Sequence, residues 1–122
     1  MENIKFRGQQ INTHKWIYGF LYREKGVYQI CENIRYTEAE PILKDTVGQF
    51  IGLIDIKGKE VFTGDIVEIT IHNLLFNNTT TKRCVVEFKD GVFGVRLKKQ
   101  NNLIPLSQLC NATFEVVRKY LG

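Results

Sequence analysis

The dipeptide Asp90-Gly91 lies between two stretches, 83–89 and 92–97, in which apolar residues recur at every second position. Asp-Gly in that setting is a strong two-residue hairpin signal, because both positions of a type I′ turn need positive φ. The turn pairs Phe88 with Phe93, Val86 with Val95, and Cys84 with Leu97. The preceding stretch carries Val67, Ile69 and Ile71 at the same spacing of two. With Asn77-Asn78 as a second two-residue turn, Ile71 falls opposite Cys84, Ile69 opposite Val86, and Val67 opposite Phe88. All nine residues then share one face of a three-stranded meander. A one-residue slip would reverse every side chain, so the agreement constrains this part of the chain to an antiparallel sheet with one buried face.

The rest of the chain reads in the same way. Residues 4–7 form a short strand, and 12–15 a turn. Trp16, Tyr18, Phe20 and Tyr22 then alternate with Ile17, Gly19 and Leu21, the period of a strand with two distinct faces. Residues 23–26 turn the chain into a second strand at 27–31. Residues 32–45 are polar, contain Pro41, and read as a connection, which places a boundary between an N-terminal portion, 1–44, and a C-terminal portion, 45–122. Asp55-Ile56-Lys57-Gly58 fits a turn closed by a glycine at positive φ, and Thr63-Gly64-Asp65 marks another reversal. Asp55 and Asp65 read as turn formers, since Asp carboxylates bond nearby backbone N–H groups. Residues 105–109 read as a short turn or 3₁₀ segment and 114–121 as a final strand. Six or more short strands with glycine turns predict a small closed barrel, because closure removes exposed sheet edges. A chain of 122 residues needs no metal or disulfide to hold such a unit together.

The residue inventory bounds the chemistry. Cys31, Cys84 and Cys110 are scattered, with no Cys-x-x-Cys pair, and read as reduced core residues of a cytosolic protein. No apolar run is long enough to span a bilayer. His14 and His72 have no Cys, Asp or Glu at metal-ligand spacing. The one serine, Ser107, lies outside any Gly-x-Ser-x-Gly elbow. Gly48-Gln49-Phe50-Ile51-Gly52 lacks the Gly-Lys-Ser/Thr end of a phosphate-cradling loop. No cofactor or metal site and no enzyme activity is expected.

Beyond these local readings, Asp45-Thr46-Val47-Gly48-Gln49-Phe50-Ile51-Gly52-Leu53 and the run from Asp55 through Gly58, Gly64 and Asp65 to Val67 resemble the signature of the YopX family, small proteins of bacteriophages and prophages. Ile4-Lys5-Phe6-Arg7-Gly8 and residues 16–21 resemble that family's opening, and residues 86–94 its later hairpin. The resemblance implies a mainly β protein: an SH3-type small barrel over 45–122 with a smaller β-rich N-terminal portion over 1–44. It also implies a phage or prophage accessory protein in the bacterial cytosol, acting on a phage or host protein.

Three surfaces stand out as contact regions. Residues 82–100 hold six bases against two acids, while the remainder carries eleven of each, so the whole net charge of +4 sits in one hairpin. Arg83, Arg96, Lys98 and Lys99 are its candidate contact cations, with Arg83 opposite Lys98 on the outward side and Glu87 diagonal to Arg96. They form either a solvated face or a weak anion or nucleic-acid contact. The aromatic stripe of residues 16–22 either stacks bases or packs inside the protein. Last, Leu74, Leu75 and Phe76 extend beyond the paired core residues as an apolar arm, which either folds back or grips a second subunit.

Overall fold

Alternating apolar residues and turn glycines organise the chain into strands. The structure, a computed structural model, describes residues 4–32, 39–73, 75, 77–97, 103–106 and 112–118. Its strands are β1 (Phe6–Gln9), β2 (Trp16–Glu24), β3 (Val27–Cys31), β4 (Glu40–Pro41), β5 (Gly48–Ile54), β6 (Glu60–Phe62), β7 (Ile66–Asn73), β8 (Asn78–Lys89), β9 (Val92–Leu97), β10 (Leu103–Pro105) and β11 (Ala112–Arg118). A 3₁₀ turn covers Lys44–Thr46. The chain divides into two compact units, residues 1–52 and Leu53–Leu121. The division falls within β5, while residues 44–45 lie in the 3₁₀ turn.

In the first unit, β2 is long enough to serve two partners in succession. Its first half pairs with β1, from Gln9 opposite Trp16 to Phe6 opposite Gly19. Its second half pairs with β3, from Phe20 opposite Cys31 to Glu24 opposite Val27. The change of partner occurs at Gly19, where a Cβ would stand 2.2 Å from the Cys31 carbonyl oxygen. Only glycine allows so close a backbone approach. Ile17, Ile30 and Ile42 form the core of this unit, with Phe6, Leu21, Tyr28 and Val47 packed against them. Burying each large aliphatic side chain is worth about 1.5–3 kcal/mol.

The second unit is organised by β8. Its sheet runs in the order β10-β9-β8-β7-β11. The β8–β9 hairpin pairs Phe88 with Phe93, Val86 with Val95, and Cys84 with Leu97. Its turn residues Asp90 and Gly91 have φ of 53° and 80°. Among the described residues, Val67, Ile69, Cys84, Val86, Val95 and Val116 are the buried hydrophobic side chains of this sheet.

Four departures from the sequence reading bear on the second unit. The β7–β8 register sets Ile71 opposite Thr80, Ile69 opposite Lys82 and Val67 opposite Cys84, not opposite Cys84, Val86 and Phe88. The last pair is Asn73 opposite Asn78, with Asn77 at φ 50°, so Asn77-Asn78 is not the two-residue turn and the pairing slides by four residues. Because four is even, each side chain keeps its face and only its partner changes. Phe88, placed in the core by the sequence pattern, is 53% exposed and packs against Phe93 with ring centroids 4.7 Å apart and planes tilted by 54°. Residues 103–105 form β10, where the sequence suggested only a turn from 105 onward.

The fourth difference concerns the whole architecture: the expected SH3-type barrel does not form. The described strands make two open sheets, and β10 and β11 remain the edges of the second. A barrel needs its first and last strands to pair with a consistent stagger. Here the outer edge of β11 is instead engaged by the turn at 55–57: the Ile56 N–H donates to the Phe114 carbonyl at 2.9 Å, and the Val116 N–H donates to Asp55 Oδ2 at 2.9 Å. A short turn occupies the place where a closing strand would pair.

Candidate contact surfaces

The two aspartate turns hold the second unit together. Asp55 is buried, and its carboxylate accepts three backbone hydrogen bonds. Oδ1 takes the N–H groups of Lys57 at 2.9 Å and Lys59 at 2.8 Å, and Oδ2 takes that of Val116. Burial alone would raise its pKa, but the three N–H donors, assisted by the Lys59 charge, outweigh it and hold the carboxyl below its ordinary value. Gly58, at φ 83°, completes the turn. Lys57 reaches across to Glu115, Nζ to Oε2 at 3.0 Å, and this hydrogen bond raises the ammonium above its ordinary pKa. Asp65 is fully buried. Its Oδ2 accepts the Phe62 N–H at 2.8 Å, and its carbonyl accepts the Val86 N–H at 2.9 Å. Gly64, at φ 92°, donates to the Val86 carbonyl at 2.8 Å. Both aspartates bond backbone N–H groups of their own turns, and Asp55 in addition ties its turn to β11.

Two arginines of the basic hairpin are held by acids, one on β7 and one within the hairpin. Arg83 lies opposite Glu68, with Nε to Oε2 at 3.3 Å. Arg96 holds Glu87 at 2.6 Å, and that hydrogen bond raises the guanidinium above its ordinary pKa. The diagonal Glu87–Arg96 contact follows from the β8–β9 register, whereas the Glu68–Arg83 contact depends on the corrected β7–β8 register. Lys98 and Lys99 lie outside the described residues.

β7 and β8 remain paired as far as Asn73 opposite Asn78, and Leu75 lies in the turn that follows. Leu75 is 91% exposed; Leu74 and Phe76 lie outside the described residues. The leg of β8 beneath the loop, from Asn78 to Arg83, is exposed at all six positions.

On the first unit, the aromatic stripe has a cation that the sequence reading missed. Arg7 lies opposite Tyr18, is only 2% exposed, and places its guanidinium 4.7 Å from the centre of the Trp16 ring. Such a contact is attractive through the ring quadrupole. Lys5 stands over Phe50 in the same manner, at 5.7 Å. The signal was present as Lys5 and Arg7 at a spacing of two, but only the β1–β2 register brings it to the stripe. Trp16, Tyr18 and Tyr22 are half-buried, and Phe20 is exposed. A shallow hollow in this unit is lined by residues 10–13, Glu40 and Pro41.

Among the described residues no three His, Cys, Asp or Glu side chains are grouped so that they could hold a metal ion. No helix among them is long and apolar enough to cross a membrane. The molecule is therefore a mainly β protein of two open sheets, with turns fixed by buried carboxylates. The model of the YopX protein family matches residues 2–118, nearly the whole chain, and the chain belongs to that family of phage and prophage proteins. No curated protein and no solved structure matches it.

Proposed function

We propose that this protein is a non-catalytic phage accessory protein of the bacterial cytosol that works through protein–protein contacts and associates with copies of itself through the β7–β8 loop. The observation that carries this reading is Leu75, 91% exposed at the tip of a hairpin. The β8 leg beneath it, Asn78–Arg83, is exposed throughout. A large aliphatic side chain held in water gains about 1.5–3 kcal/mol when a partner covers it, and in a symmetric assembly each subunit contributes that gain. The nucleic-acid alternative draws less support, since Arg83 and Arg96 already hold carboxylates.

The test is light scattering over a concentration series on the wild type and on a variant with Leu74, Leu75 and Phe76 changed to Ser. A wild-type mass above that of one chain, falling to one chain in the variant with the β-type circular dichroism intact, supports the reading. A wild type that stays monomeric throughout overturns it.

A further inference from the structure

The outer edge of β11 is closed in an unusual way. Phe114 offers its carbonyl outward, and Val116 its N–H. The Ile56 N–H satisfies the first at 2.9 Å, and the side-chain oxygen Oδ2 of Asp55 satisfies the second at 2.9 Å. Together they flank Glu115 with one donor and one acceptor, the arrangement a parallel strand would present. Asp55 thus supplies with its side chain what a neighbouring strand would supply with its backbone. Two further devices reinforce the closure. Lys57 pairs with Glu115 at 3.0 Å, and the β11–β7 register shifts between Val116 and Arg118, a local bulge of the kind that blunts sheet edges.

We infer that β11 is a latent strand-addition site for a second copy of this chain, and that the turn at 55–57 is the plug that keeps it closed. The occupant follows from the register. Two β11 edges paired antiparallel about Phe114 place Phe114 opposite its own copy, Ala112 opposite Val116, and Thr113 opposite Glu115. Each outward N–H meets a carbonyl, the apolar positions meet one another, and no two like charges are opposed. The contact is isologous and closes at two subunits. This edge is separate from the β7–β8 loop, and the inference does not rest on association through that loop.

The experiment is carried out in a Leu75→Ser background, so that loop-mediated association does not contribute. Asp55→Ala removes the acceptor for Val116. Its mass by light scattering is expected to double relative to the parent at equal concentration. Adding Ala112→Pro removes an outward N–H at the start of the strand, where proline is tolerated, and the mass is expected to return to the parent value. A folded Asp55→Ala protein that keeps the parent mass overturns the inference. Should Asp55→Ala not fold, Lys57→Glu sets two carboxylates against each other and loosens the turn more gently. Faster amide exchange at Val116 together with a doubled mass then supports the plug. Faster exchange without a gain in mass, or no change in exchange, overturns it.

Discussion

At the scale of the residue, Asp55 is the position where most is at stake. Its carboxylate serves three backbone N–H groups, one of them sixty-one residues away at Val116. Replacing it with Asn leaves a single acceptor oxygen, and stability at neutral pH is expected to fall by about 1–3 kcal/mol, the cost of a buried donor left unmatched. The fold favours the ionised form and so lowers the pKa. The Asp55 contribution is therefore complete above the unfolded carboxylate value, near about pH 4, and is lost as pH falls through the lower folded value. Urea midpoints of wild type and Asp55→Asn should differ clearly at pH 7 and converge in strong acid; a gap unchanged with pH would mean that the charge is irrelevant. Gly91 is the second such position. At φ 80° with nothing within 4 Å of a Cβ, Gly91→Val meets only the conformational penalty, about 1–3 kcal/mol by urea unfolding. Both turns are visible in the sequence, since Asp and Gly at these spacings have few other uses. The bond to Val116 is not, because nothing local to Asp55 says which strand will lie beside it.

At the scale of the element, the two hairpins of β8 show what alternation can and cannot specify. Asp90-Gly91 dictates its own geometry, so the pairing of Phe88 with Phe93 can be read directly. Asn77-Asn78 carries no such obligation, and the last pair is Asn73 opposite Asn78. The faces of β7 and β8 still come out as the pattern requires, because parity survives an even slip, but the partners do not. That difference has a chemical consequence, for it is the observed register that puts Glu68 opposite Arg83. Arg7 was illegible for the same reason: its place beside Trp16 depends on which strand pairs with β1. With Arg83 and Arg96 each holding an acid, wild-type binding to nucleic acid is expected to be weak and to fall steeply with salt. Glu68→Gln with Glu87→Gln should release both arginines, tightening the binding and steepening its salt dependence in a fluorescence anisotropy titration. Identical titrations for wild type and double variant would show that these cations contact no phosphate. The Arg83–Glu68 pair is exposed and the Arg96–Glu87 pair half-buried; pairs this close to solvent add little to the fold, so the double variant should remain folded.

At the scale of the molecule, alternation and turns specify strands but not closure, and this is why a barrel could be expected where two open sheets occur. Strand count and glycine turns are common to both architectures. Closure depends on whether the last strand finds the first, and here β11 meets the Asp55 turn instead. The same strands determine how the thiols behave. Cys31 and Cys84 are buried, and neither is in a disulfide; burial also pushes the Cys84 thiol above its ordinary pKa. A thiol must ionise and meet its reagent to react, so in the folded protein both should react slowly with an aromatic disulfide reagent at neutral pH. In denaturant, without reductant, all three cysteines of the chain should titrate, Cys110 included. A shortfall of two thiols in freshly prepared protein would reveal a disulfide and contradict a reduced chain. Rapid reaction of Cys84 in the folded state would point instead to frequent opening of the β7–β8–β9 sheet, since Cys84 sits beside both Val67 and Leu97 in its centre. The thiol rates therefore measure, without any substitution, whether the sheet that carries both proposed contact edges stays closed in solution.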